Sequence, residues 1–456
     1  MTARNTGRFE QTRVFLASFS YLAGTGVTLL VGLFATPPTL RLLGTRDFGL
    51  LTLFWAVLTF LTNFDFGISQ TLTKLLAASG RRSIDAQEAR LAAAAFALQL
   101  LIGALLALAF LLGAALLPDE TNREMIWHEH WLTFAIFLLS VPMLSFTVSC
   151  RATLEAKRDF QFVSALSLIG GLAQFLIPLA CAANGFGIDA IVIGTVATRG
   201  GVMGAMLVRI GSHHGMRPRD FRCSTAETRR LWSVGSWIAY STIINPALLY
   251  SDRFLLPFYF KLAEIVAYAL PLEFLLRLMI FPAIINRVAF PYLNLGTHED
   301  TSVRRRVYRT TALVMSAFGA ALLLGAIAAP FFLELWLSRN FTLQSGRIAQ
   351  IMLIGLSFSG VTYLSTGVMI AADRADFDPK VQLSILPFFI VALILVMRAH
   401  SLVMVAVVLS GRTILHSIVM LLAVRKSLAE DRWIAPLQIL IHLAGALLVA
   451  LVCMRG

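Results

Sequence analysis

The chain has 456 residues, 58% of them apolar and 14% charged, with a mean hydropathy of +0.78. Soluble domains run nearer roughly 45–50% apolar and about 25% charged, so this composition excludes a string of soluble domains, and the apolar content excludes a disordered chain. The net charge of +13 is compatible with nucleic acid, an anionic lipid surface or an asymmetric membrane topology, and the placement of the charges decides among these.

One membrane crossing needs roughly 20 apolar residues. Stretches of that kind follow one another at residues 14–40, 48–73, 91–117, 131–153, 162–182, 188–208 and 231–257, then at 263–291, 308–336, 348–371, 381–397, 401–424 and 436–453. Arg4, Arg8 and Arg13 precede the first. That run is too long for a signal peptide and has no small-residue cleavage site, so it reads as a retained helix with a cytoplasmic N-terminus.

With that orientation the inner connections carry twenty-five lysines and arginines, including Lys157, Arg209, Arg219 and Arg305, and the outer ones carry eight. The imbalance sets topology and explains the net charge without a nucleic-acid partner. The inner basic loops read as retention signals beside lipid headgroups, while Asp119, Glu120, Glu124 and Glu129 make one outer loop acidic. Cys150, Cys181, Cys223 and Cys453 lie far apart and suggest neither a metal site nor a disulfide framework. No connection exceeds about twenty residues, whereas membrane glycosyltransferases and ligases usually carry their catalytic groups on a large loop. The expected function is therefore non-enzymatic and lies between the helices.

Leu144 to Ile169 reads LSFTVSCRATLEAKRDFQFVSALSLI, and Leu356 to Leu386 reads LSFSGVTYLSTGVMIAADRADFDPKVQLSIL. Aligning their Asp-Phe turns gives an offset of 217 residues, and Arg199 and Arg412 are 213 apart. Six spans per unit make the copies parallel, a common transporter arrangement with the substrate site between the halves. The expected architecture is all-α and polytopic. It has an N-terminal lobe at 1–212, a basic cytoplasmic linker at 213–230, a second lobe at 231–425 and an extra C-terminal helix at 426–456.

Five arginines fall inside the spans: Arg199, Arg253, Arg277, Arg287 and Arg412. A charge at mid-bilayer costs about 2.5–3.5 kcal/mol on insertion scales, so such groups face the bundle interior or a wet cavity. Glu273 and Arg277, four residues apart, share a helix face and can pair, within a lobe or toward substrate. Asn245 and Asp252 share a face of the seventh span, and Arg253 adjoins them. Arg199 and Arg412, beside glycines, either tie helices together or meet substrate. Asn63, Asp65, Ser69 and Gln70 interrupt the second span, where Asp65 caps or bridges neighbouring helices or serves ion coupling. His213, His214 and His298 lie in inner loops and read as non-catalytic, while His416 and His442 in spans read as hydrogen-bonded packing groups rather than proton carriers. The excess of arginine over acid points to an anionic cargo.

Leu43-Gly44, Phe48-Gly49 and Asp65-Phe66-Gly67 lie within GLFATPPTLRLLGTRDFGLLTLFWAVLTFLTNFDFGISQTLTKLLA. This segment resembles the first two helices of polysaccharide flippases of the multidrug/oligosaccharidyl-lipid/polysaccharide exporter superfamily. Residues 250–256, Tyr-Ser-Asp-Arg-Phe-Leu-Leu, followed by Ala267-Tyr268-Ala269 and the stretch Pro282 to Pro291, are similar to the family's seventh and eighth helices. The resemblance covers about residues 10 to 425 and implies a MATE-like fold of two six-helix lobes opening alternately. It implies as cargo an undecaprenyl-diphosphate-linked oligosaccharide for O-antigen, capsule or exopolysaccharide, carried across the bacterial inner membrane. Membrane lipids and other polysaccharide assembly proteins are the further partners. No cofactor is expected beyond a coupling ion such as H+ or Na+. The drug-exporting branch relies on cavity acids, so the arginine surplus here favours an anion. A small-molecule exporter is the alternative, and a membrane glycosyltransferase the enzymatic one.

Overall fold

The computed structural model describes residues 2–455 apart from 64, 80, 82, 119–124, 217–226, 230, 232–247, 294–300, 338, 373, 375 and 428–432; some side chains, those of residues 1–23, Asn63 and Arg287 among them, are also not described. Among the described residues no strand occurs. The helices, in chain order, are α1 (Thr2–Asn63), α2 (Ile68–Ala77), α3 (Ala86–Ala115), α4 (Trp131–Ala156), α5 (Phe160–Ala183) and α6 (Ile188–His214). They continue with helical residues 248–255, α7 (Leu262–Leu278), α8 (Ile280–Leu293), α9 (Thr301–Trp336), α10 (Arg339–Leu356), α11 (Ser359–Ala371), α12 (Phe377–Arg398), α13 (Leu402–Ser427) and α14 (Ile434–Arg455).

Ten helices among the described residues are long and apolar enough to cross a membrane. Leu139, Leu335 and Phe388 lie on their surfaces with 80%, 77% and 78% of their area exposed, an arrangement stable against acyl chains but not against water. In lipid every backbone group must be bonded within the protein, and continuous helices do this. Their ends are closed locally. At the start of α3, Asp85 accepts from the Glu88 amide at 2.8 Å while Glu88 accepts from the Asp85 amide at 3.1 Å.

The first two expected spans are confirmed as helical but divided differently. Gly44 leaves helical geometry at φ 78°, ψ 167°, so α1 is two helices meeting at the expected Leu43-Gly44 turn. The expected second span is not one helix: it stops at Asn63 and restarts at Ile68, with Phe66 at φ 53° and Gly67 at φ 70°. The cause is Asp65, whose Oδ1 accepts from the Gly67 amide at 2.9 Å and whose Oδ2 accepts from the Ser69 amide at 3.1 Å. A short carboxylate bonded to the following amides offers the backbone an alternative to the helix ladder. Asp65 and Ser69 are therefore joined across a break.

Most of the expected seventh span and much of the expected linker lie outside the described residues. The thirteenth span is a helix, α14, packed on α9. Gln438 Nε2 donates to the Ala312 carbonyl at 3.1 Å and to Ser316 Oγ at 3.0 Å, and the buried His442 ring lies against Phe358. Gly319 permits this approach, since a Cβ there would come within 2.2 Å of His442 Cε1.

By internal contacts the chain forms two units, Met1–Tyr250 and Ser251–Gly456. In the first, α3 and α4 lie so close that a Cβ on Gly103 would meet Pro142 Cα at 2.5 Å. Lys157, counted above among the basic residues of the inner connections beside lipid headgroups, is instead fully buried: its Nζ reaches Glu88 Oε2 at 2.8 Å and donates to the Arg81 carbonyl at 3.3 Å. Beside it Arg209 Nε donates to Asp159 Oδ2 at 2.6 Å. Burial pushes the Asp159 carboxyl up, but the Arg209 and His214 side chains outweigh it and hold the carboxyl below the usual carboxylate range.

Candidate functional site

The second unit gathers five of the candidate residues. Asp252 and Arg253, on helical residues 248–255, are 0% and 2% exposed. Tyr268 on α7 donates its hydroxyl proton to Asp252 Oδ2, which fixes that carboxylate. One turn further along α7, Glu273 is shared by two arginines: Arg277 NH2 donates to Oε1 at 3.2 Å, and Arg253 NH2 lies 3.4 Å from Oε2. The expected Glu273–Arg277 pair is thus present, with a second cation that sequence spacing could not reveal. Arg412 enters from α13. Its guanidinium stacks over Phe389 of α12 at 5.0 Å from the ring centroid and feels the charge of Asp252. Its buried Nε finds no acceptor among the described residues.

This arrangement sets three guanidinium groups against two carboxylates in a largely buried region. Buried charges persist when paired and hydrogen-bonded. Among the described residues the Arg412 Nε is left without an acceptor, and the guanidinium fork suits an oxyanion.

The remaining candidates lie elsewhere. Arg199, on α6 of the first unit, packs its guanidinium against Gly170 of α5, where a Cβ would stand 3.5 Å from NH1. Asp65 sits in the α1–α2 break of the same unit. Asn245 falls outside the described residues. Arg287 is on α8 and Asn63 ends α1, but their side chains are not described.

A family model described as "Polysaccharide biosynthesis protein" matches residues 40–345, more than half of the chain. The chain belongs to this polysaccharide biosynthesis protein family. The "Putative O-antigen transporter" of Shigella flexneri is 21% identical over 381 residues, 83% of this chain and 90% of that protein. Among solved structures, the lipid II flippase MurJ in an inward closed conformation is similar with a TM-score of 0.66 at 14% identity, covering 95% of this chain and 98% of that one. An inward-facing multidrug resistance MATE family transporter of the MOP superfamily is similar with a TM-score of 0.63 at 13% identity, covering 90% and 94%. The fold is thus MATE-like, as the resemblance implied. With ten helices of membrane-crossing length among its described residues, this polysaccharide biosynthesis protein is a multi-pass membrane protein.

Sequence reading missed two polar groups of this family member. Lys157 and Glu88 lie 69 residues apart, and only the Asp-x-x-Glu capping pattern at Asp85 hinted that Glu88 was placed. Asp378 accepts from Thr366 Oγ1 at 3.0 Å, from Gln382 Nε2 at 2.9 Å and from His416 Nε2 at 2.7 Å. His416 was read as a hydrogen-bonded packing group. Its acidic partner starts α12 and gave no signal of its own.

Proposed function

We propose that the protein carries an undecaprenyl-diphosphate-linked oligosaccharide unit across the bacterial inner membrane, by alternating access, for O-antigen, capsule or exopolysaccharide assembly. Membrane lipids surround it, and other polysaccharide assembly proteins receive its product. The observation that carries this reading is the cluster of Arg253, Arg277 and Arg412 near Asp252 and Glu273, with a buried Arg412 donor unsatisfied among the described residues. A diphosphate offers several oxyanions to such donors. Family membership and the similarity to an O-antigen transporter support the same cargo class. Arg287, Asn245 and Arg199 are kept as further cargo contacts, and Asn63 as a structural or coupling residue.

The test is a leaflet-sidedness assay for the lipid-linked oligosaccharide in cells lacking the protein. Accumulation of the complete unit on the inner leaflet is expected, and an incomplete unit would refute the reading. In complemented cells, Arg277→Ala should lose most transport at normal protein abundance and Arg277→Lys should retain part, because lysine keeps the charge and loses the fork. Full transport by alanine variants of Arg253, Arg277 and Arg412 alike would remove the anion site from this cluster.

The same reading places the basic connections on the cytoplasmic side. Reporter fusions near Arg219 and near Arg305 should both behave as cytoplasmic, and a periplasmic signal at either would break the six-plus-six topology.

A further inference from the structure

A second polar site lies in the first unit, at the break between α1 and α2. Asp65 is 6% exposed, and its carboxylate accepts only from the Gly67 and Ser69 amides; no basic side chain among the described residues pairs with it. Around it four side-chain oxygens find no hydrogen-bond partner among the described residues: Ser69 Oγ, Gln99 Oε1, Ser145 Oγ and Ser149 Oγ. Their residues are 8%, 0%, 1% and 0% exposed.

Helix register brings these groups to one depth. α2 and α4 run in the same direction, since Thr73 Oγ1 donates to the Ala152 carbonyl at 3.3 Å and Ser79 lies 3.5 Å from Lys157 Nζ. One turn back from the Thr73 contact, Ser69 is level with Ser149, and Ser145 stands one turn further back on α4, toward the break that holds Asp65. α3 runs the opposite way, with Glu88 at Lys157 and Gly103 at Pro142 and Ser145. Between these two contacts Gln99 stands level with Ser145 and Ser149. Gln99 Nε2 donates to the Asp65 carbonyl at 3.3 Å, which ties α3 to the break directly and turns its Oε1 into the acceptor left over.

We propose that Asp65, Ser69, Gln99, Ser145 and Ser149 form a binding site for one alkali-metal cation. A buried carboxylate without a cation is costly, and each unsatisfied buried oxygen adds to the cost. A single ion meets all of them at once. The donor set is entirely oxygen with one negative charge, which suits a monovalent hard cation; sites for calcium gather more carboxylates. Binding of the ion stands apart from the cargo assignment, although its use to drive transport would rest on that assignment.

The experiment is thermal unfolding of the purified full-length protein in detergent, with NaCl or KCl titrated against choline chloride at constant ionic strength and neutral pH. A saturable rise in Tm with one alkali ion is expected for the wild type and none for Asp65→Asn. Because Asp65 also caps the break, the variant Ser145→Ala/Ser149→Ala keeps the carboxylate and its amide bonds. It should raise the half-effect concentration roughly tenfold or more, as the loss of buried ligands would. Equal Tm values in alkali and choline salts would overturn the proposal, as would an unchanged half-effect concentration in the double variant. A Tm that ignores alkali ions but varies with pH in a way Asp65→Asn abolishes would assign the site to a proton and overturn it equally.

Discussion

Replacing Glu273 by alanine is expected to destabilise the protein by about 3–5 kcal/mol, more than any single substitution of the arginines around it. The carboxylate is the shared partner of Arg253 and Arg277, at 3.4 Å and 3.2 Å, and Arg253 is buried. Removing it leaves two cations facing each other with Arg412 nearby, and like charges in a region of low dielectric repel strongly. Removing Arg277 alone leaves Glu273 with Arg253. Glu273→Ala with Arg277→Ala should therefore recover part of the loss, because one of the two guanidinium groups that repel each other is gone. The measurement is Tm in detergent together with steady-state abundance in membranes, which falls several-fold for a loss of this size. A wild-type Tm for Glu273→Ala, or strict additivity in the double variant, would show that the three side chains do not form one unit.

The second large effect is expected at Lys157. Its ammonium is 0% exposed and held by Glu88, itself fixed by the capping box that starts α3, so Lys157→Ala strands a buried carboxylate and should cost about 3–5 kcal/mol. Lys157→Met with Glu88→Leu should be much milder, since replacing both members of a buried pair by apolar groups of similar size is often neutral. Lys157→Ala should also loosen α4 from α3, because the same ammonium donates to the Arg81 carbonyl ahead of α3. Hydrogen exchange on the Arg81 to Glu88 segment should then rise in the single variant and return toward wild type in the double. Unchanged exchange and Tm in Lys157→Ala would place the pair among those that contribute nothing measurable.

Hydropathy and short-range spacing determined much of this protein without any three-dimensional information. Among the described residues most of the apolar runs became helices of membrane length, because in lipid a continuous helix is the only open-chain way to bond every backbone group. Glu273 and Arg277 became a pair because four residues along a helix return a side chain to the same face, whatever that helix packs against. The short Leu-Gly, Asp-Phe-Gly and Asp-Arg patterns were enough to point to a polysaccharide family, and the family model agrees. What hydropathy could not register is a helix broken from within: polar residues interrupt the run 48–73 in its second half, but only the structure shows the chain leaving the helix there, where two hydrogen bonds to the Asp65 carboxylate outweigh the local helical preference. Tertiary packing alone brought Arg253 to Glu273, Lys157 to Glu88 and Arg412 over Phe389. These contacts join different helices, and they depend on how each helix is rotated and where along its length it meets its neighbour. Periodicity within one segment leaves both quantities open, and close-packed side chains in the assembled unit decide them.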